Sequence, residues 1–436
     1  MSSLLKAGQI VTTESSGLPC EAQSFLGAGG QGEVYSARWA GQPMALKWYF
    51  AHQATRVHRQ ALETLVHIGA PAEQFLWPLE IASHALSRSY GYVMPLRDAR
   101  YRSIVDLMMR RAEPGFRALT TACVGLADSF LRLHSRGLCY RDISFGNVFF
   151  EPETGAVLIC DNDNVAVDGA TRTGVVGTPR FMAPEVVRRE AAPSIQTDQY
   201  SLAVLLFYLL MVHHPLEGKR EAAIRCLDLP AMNRLYGERP LFIFDPDDDS
   251  NAPVPSCHDN ALAFWPVYPR PIRRLFTRAF TEGLRDPGRR VRESEWRAAL
   301  VRLRDQILYC RCGQESFYCQ ESHRDSGSVG FCWSCGSKLT LPARLRVGGM
   351  AMLLNTDTRI YPHHIDPDRA YDFSAPLATM TENPNRRGQW GLQNLSPRSW
   401  RITTPHGPDR IVEPGRSLAL VAGMRLEFGV VVGEVA

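Results

Sequence analysis

Lysine is nearly missing from this chain: of 49 basic residues only Lys6, Lys47, Lys219 and Lys338 are lysines, and arginine fills every other basic position. Where arginine suffices almost everywhere, a lysine in a structured segment marks a need for a compact point charge. Strong net charge is also lacking. A formal balance of +4 over 436 residues is too small to argue for a nucleic-acid partner. The longest apolar run, Ser201 to Val212, is about a dozen residues, too short to span a bilayer, and reads as a buried helix. Met1 to Thr12 has no apolar core or cleavage pattern, so neither export nor a membrane role is expected and the cytoplasm is the expected compartment. Six of the eleven cysteines (Cys20, Cys123, Cys139, Cys160, Cys226, Cys257) are scattered, as reduced core thiols are. The acidic cluster Asp245 to Asp249 reads as a solvated loop, and the length suggests two or three domains.

Several short patterns carry chemistry. Gly27, Gly29 and Gly32 stand in G-x-G-x-x-G spacing and are followed by Val34. Such glycines let backbone approach phosphate oxygens without Cβ clashes, and the alternation from Glu33 to Trp39 predicts a strand next, which argues for a hairpin rather than a Rossmann turn. Ala45-Leu46-Lys47 lies in a strand-like run from Met44 to Phe50, and between Lys47 and Pro71 the single acidic residue is Glu63. Tyr140-Arg141-Asp142 precedes Asn147 by a fixed interval, between an amphipathic stretch and apolar Val148-Phe149-Phe150. A second apolar strand, Val157 to Ile159, leads into Asp161-Asn162-Asp163. Gly177-Thr178-Pro179, Ala183-Pro184-Glu185, Asp198 and Asp286-Pro287-Gly288-Arg289-Arg290 complete the series.

In that order these motifs resemble the eukaryotic-type protein kinase family over residues of about 20 to 305. The resemblance implies an α+β, bilobal fold binding ATP and Mg2+ and phosphorylating Ser/Thr hydroxyls of a protein substrate. The nucleotide falls to Gly27, Gly29, Gly32, Val34, Ala45 and Lys47, with the backbone of Met94 to Leu96 on the adenine edge. Asp142 becomes the base, Glu63 the partner of Lys47, and Asn147 and Asp161 the magnesium ligands, with Asp163 as the alternative to Asp161. Glu185, Asp198 and Arg290 take structural roles. Arg141 beside Asp142 suggests that phosphate on Thr171, Thr173 or Thr178 orders the activation segment. Two positions depart from the family: Ser144 stands where a lysine is usual, and Asn162-Asp163 replaces Phe-Gly. A nucleotide-binding pseudokinase scaffold and a small-molecule phosphotransferase are the alternatives.

The remaining cysteines crowd into Cys310 to Cys335. Cys310-Arg311-Cys312-Gly313 and Cys332-Trp333-Ser334-Cys335-Gly336 are two knuckles with the layout of a zinc ribbon, although the first is C-x-C and Cys319 could substitute for one ligand. So short a segment buries too little to stand alone, and Zn2+ is the expected staple. Beyond Leu341, short alternating runs between Pro and Gly turns predict an all-β sandwich. Trp390 to Leu395 and Ser417 to Gly429 resemble strands of a forkhead-associated domain. The expected boundaries are thus an N-terminal segment 1–20, a kinase domain 21–305 (small lobe to about 95), a zinc ribbon 306–340 and a β-sandwich 341–436. The combination is similar to bacterial kinases encoded with tellurite-resistance and stress-response modules, which implies as partners a von Willebrand A domain protein and a cognate phosphatase.

Overall fold

The computed structural model describes residues 3–169, 177–405 and 407–436. The chain divides into two compact units, one of residues 1–266 and 271–298, the other of 267–270 and 299–436.

The first unit begins with six strands: β1 (Ile10–Thr13), β2 (Pro19–Ala28), β3 (Gly32–Trp39), β4 (Gln42–Tyr49), β5 (Glu80–Ser83) and β6 (Tyr90–Pro95). Their order β1-β2-β3-β4-β6-β5 closes on itself, because β1 pairs with β5 as well as with β2. Ile10 to Thr13, within the expected N-terminal segment 1–20, is the strand that removes both open edges of the sheet. Val11 and Ala37 alternate with more exposed neighbours, Leu46 and Val93 lie in strands buried on both faces, and all four belong to the core of this barrel. One helix crosses beside it, α1 (Arg56–Ile68), started by the Thr55 side chain accepting from the His58 N–H and buried through Leu62 and Leu65.

Helices dominate after Leu96. Phe116–His134 and Ile195–Met211 pack together, and the second is buried almost throughout, as its unbroken apolar run requires. A capping box from Ser194 and Thr197 starts it and places Asp198 in its first turn. Val148–Phe150 pairs with Val157–Ile159 and with Arg102–Ser103, so two short strands hold the loops that carry Asp142, Asn147 and Asp161.

In the second unit, the hairpin Ile307–Tyr309 with Glu315–Phe317 carries the first cysteine knuckle at its turn, and an isolated bridge Phe331 to Lys338 closes the second. Beyond them lie two antiparallel sheets, one of six and one of four strands. Leu345, Trp400 and Leu426 of the first and Ile360, Met380 and Leu392 of the second meet in one apolar core. Leu353 of the larger sheet packs in a cluster with Cys310, Tyr318 and Cys332. The division between the two units falls inside the helix Glu293–Asp305, and the knuckles and sheets belong to one compact unit.

Candidate functional site

A cavity of about 600 Å³ is lined by both ends of the sequence-predicted set: Gly27, Gly29 and Gly32 on one side, Asp142, Asn147 and Asp161 on the other. Val34, Ala45, Lys47, Met94 and Leu96 also line it. Its volume falls in the range of a nucleotide-sized ligand site.

The glycines divide into two kinds. Gly27 and Gly29 have open space where a Cβ would stand, whereas a Cβ on Gly32 would lie 2.2 Å from the Trp48 carbonyl oxygen. Gly32 is thus demanded by the close approach of β3 to β4. The hairpin is closed by Gly29 N–H donating to Gly32 O at 2.9 Å.

Asp142 sits in the loop between the strands Leu138–Cys139 and Val148–Phe150, and Asp198 fixes that loop from below. One carboxylate oxygen accepts from the Tyr140 N–H at 2.5 Å and the other from the Arg141 N–H at 2.9 Å. Arg141 takes a left-handed φ of 77°, a strained conformation that these two bonds hold. The Asn147 amide nitrogen donates to Asp142 O at 2.8 Å and to Asp142 Oδ2 at 3.2 Å, which leaves its oxygen as the atom for a cation. Burial pushes the Asp142 carboxyl above the ordinary carboxylate range, against the lowering effect of bonds from Thr178 and Asn147.

Lys47, buried on β4, donates to Asp161 Oδ1 at 2.5 Å, to both oxygens of Asp163 at 3.0 and 2.8 Å, and to Gln31 Oε1 at 3.0 Å. Burial alone would lower its pKa, but Asp163 and Asp161 outweigh that and hold it above the usual lysine value. The expected Lys47–Glu63 pair is not formed. Glu63 lies on the solvent side of α1, half exposed, and pairs with Arg59 one turn earlier at 3.1 Å. The helix turns Leu62 and Leu65 inward, and that rotation carries Glu63 away from the cavity.

Asp161 and Asp163 separate by exposure. The Asp161 side chain is 36% exposed and faces the cavity, whereas Asp163 is fully buried. Asp161 is left-handed at φ 55°, and a turn of 3₁₀ helix over Asn162–Asn164 follows it. Sequence reasoning missed Gln31, whose amide also donates to Asn164 Oδ1 at 2.8 Å, and Phe149, which lines the cavity with the Arg97 guanidinium 4.2 Å over its ring. The strand Val148–Phe150 marked Phe149 as apolar, but nothing in the sequence set it apart from Phe150.

Away from the cavity, Arg290 donates to Glu185 Oε2 at 2.8 Å and to the carbonyls of Gln196 and Gly283. The pair foreseen from two distant motifs is therefore made. Thr178 donates to Asp142, and Thr171 and Thr173 lie outside the described residues.

In the second unit the sulfurs of Cys310, Cys312, Cys332 and Cys335 all lie within 4.8 Å of one another, with Cys310 to Cys335 at 3.6 Å and Cys312 to Cys332 at 3.8 Å. Gly313 and Gly336, at φ 87° and 69°, turn the backbone behind each knuckle. Cys319, the alternative ligand, stands outside this group, at the start of the helix Gln320–Ser326.

Comparison with known proteins agrees with this geometry. Residues 20–251 match the family model described as protein kinase domain. The chain is 32% identical over 119 residues to the probable serine/threonine-protein kinase CCRP1 of Zea mays, which covers 27% of the chain and 19% of that protein. It is 31% identical over 128 residues to the serine/threonine-protein kinase plk-2 of Caenorhabditis elegans, again 27% and 19%, and 32% identical over 146 residues to the CBL-interacting protein kinase 4 of Oryza sativa, 30% and 32%. The chain spans less than a third of the length of each of these relatives. With more than half of the residues inside the family match, and with Asp142, Lys47 and Asp161 on one cavity, the chain belongs to the protein kinase domain family.

Proposed function

We propose that the chain is an ATP- and magnesium-dependent protein serine/threonine kinase. One observation carries the reading: Asp142, Asn147, Asp161 and Lys47, spread over more than a hundred residues of sequence, line the same cavity. Gly27 and Gly29 leave room for phosphate, Lys47 grips its oxygens, and the carbonyl of Pro95, which has no N–H, accepts on the adenine edge. The hard oxygens of Asp161 and Asn147 suit Mg2+, which when bound neutralises charge on the phosphates. Asp142 orients a Ser or Thr hydroxyl and takes its proton while the oxygen forms a bond to the γ-phosphorus. The bond from that phosphorus to the β-bridging oxygen breaks, and ADP leaves. Base catalysis of this kind contributes about 10² to 10⁴ in rate.

The alternatives are weaker. A pseudokinase usually lacks the base, the lysine or a metal ligand, and all are present. A small-molecule phosphotransferase would not need the Glu185–Arg290 pair, which supports a peptide platform. Incubating the purified chain with labelled ATP and magnesium, with and without Asp142→Asn, tests the reading. Label in protein that falls about 100-fold or more in the variant is expected. Equal label from both forms rejects the base, and label confined to small molecules favours the phosphotransferase.

For the second unit, the four thiolates would hold one Zn2+. Tetrahedral zinc with bonds of about 2.3 Å sets sulfurs about 3.8 Å apart, close to the spacings seen. The two sheets support a β-sandwich of forkhead-associated type acting as a docking module. The placement with bacterial stress and tellurite-resistance modules, with a von Willebrand A domain substrate and an opposing phosphatase, rests on the resemblance of this domain combination. A cytoplasmic site rests on the scattering of Cys20, Cys123, Cys139, Cys160, Cys226 and Cys257 through the kinase-like sequence, as in a chain that uses reduced thiols. No described helix is long and apolar enough to cross a membrane.

A further inference from the structure

We propose that Asp163, and not a glutamate of α1, is the positioning carboxylate of Lys47, with Tyr49 and Asn162 holding it in place. The inference rests on the reading of the cavity as an ATP site and deepens it.

A lysine that must grip phosphate from a buried strand needs an anion behind it to keep the ammonium charged and aimed. Glu63 is turned to solvent and bound to Arg59. Asp163 meets the requirement: it is fully buried, both of its oxygens receive Lys47, and it lies outside the cavity lining, so it cannot be drawn onto a ligand there. Asp161 is placed for the opposite duty, half open and facing the cavity.

The support around Asp163 is built from two further side chains. Tyr49 stands two residues after Lys47 on β4, so both point to the same side of the sheet, and its phenol donates to Asp163 Oδ2. The Asn162 amide donates to Leu76 O at 2.9 Å and Ile159 O at 3.0 Å, which fastens the loop to backbone on both sides. Asn162 and Asp163 are the two positions where the sequence departs from Phe-Gly. The departures are coupled: the side chain at 163 supplies the charge, and the amide at 162 fixes where that charge sits. Were Asp161 to hold a cation, Lys47 and Asp163 would remain as a neutral buried pair, with no movement of α1 required to complete the site.

The test uses the full chain and two readouts, affinity for magnesium ATP by titration of a fluorescent ATP analogue and steady-state phosphorylation. Asp163→Asn is expected to weaken nucleotide binding roughly tenfold and turnover about 100-fold, through misplacement of the lysine. Glu63→Gln is expected to stay within about twofold of wild type in both. In a Lys47→Met background, Asp163→Asn should cost less than about threefold in nucleotide affinity, because the two residues act as one unit. Should Asp163→Asn not fold, Tyr49→Phe carries the same test, with a loss of binding of about threefold or more that vanishes without Lys47. Equal damage from Glu63→Gln, or an Asp163→Asn loss that is unchanged when Lys47 is gone, overturns the assignment while wild-type binding stands. Wild-type protein that binds no magnesium ATP overturns the underlying reading and this assignment with it.

Discussion

Thr178 donates its hydroxyl hydrogen to Asp142 Oδ1 at 2.9 Å, joining the Gly177-Thr178-Pro179 stretch to the proposed base. This bond changes the reading of Thr178. A phosphate there would set a dianion against the Asp142 carboxylate, so on the proposed reading of Asp142 as base the hydroxyl would aim that base rather than accept an activating phosphate.

Thr178→Val should therefore lower kcat by about tenfold with little change in KM for ATP, and Thr178→Ser should restore most of it. A pH profile separates aiming from folding. Burial raises the Asp142 carboxyl and the Thr178 bond opposes that rise by favouring the ionised form. A base must be ionised to act, so activity falls as pH drops through this raised pKa. Without the bond the pKa rises further, and the acid limb of the kcat profile should move to higher pH in Thr178→Val. An unmoved limb removes the hydroxyl from the base.

The parts of the site legible in the sequence are those whose spacing follows from local geometry. Asp142 and Asn147 share one loop and bond to each other, so their interval is fixed by a single turn of chain. Asp161 stands just past a strand, after Cys160, and Asp198 lies in the first turn of a capped helix, both marked by neighbours in sequence. That Glu63 does not reach Lys47 was not legible in that way, because it depends on which face of α1 turns inward; Glu63 was the sole acidic residue in range only along the chain, not in space. The pairing of β1 with β5, some seventy residues on, likewise has no local signature.

His134 lies between two carboxylates, with Nδ1 2.6 Å from Glu293 Oε1 and Nε2 3.3 Å from Asp198 Oδ2. Burial would lower its pKa, but the bonds to Asp198 and Glu293 outweigh this and raise it to about 9. Since the folded value is above the unfolded one, the imidazolium stabilises fully below a pH of about 6.5 and is lost as pH rises through about 9. The Glu293 carboxyl is held below its usual range by the same contact, so its share is lost in acid. Unfolding free energies measured from pH 6 to 10 should fall for wild type by an amount on the order of 3 kcal/mol and stay nearly flat for His134→Gln, which starts lower. Parallel curves would show that the histidine is neutral in the folded chain.

The cysteine cluster makes a prediction about composition as well as stability. Cys310 and Cys332 are buried among Leu308, Tyr318 and Leu339, a small apolar set for a segment with few regular elements. Structural zinc supplies an apparent binding free energy of roughly 10 to 16 kcal/mol, far more than so small a core contributes. Native mass spectrometry of chain purified without chelator should therefore show one zinc. Cys310→Ser, Cys312→Ser, Cys332→Ser and Cys335→Ser should each lose it, while Cys319→Ser should keep it, because that sulfur stands outside the four-sulfur group. Stripping the metal with a strong chelator should open the hairpin Ile307–Tyr309 with Glu315–Phe317 to hydrogen exchange, since both knuckle turns lose the point that fixes them. Protection of that hairpin unchanged by the chelator would mean that the thiols hold nothing, and that packing on Leu353 alone suffices.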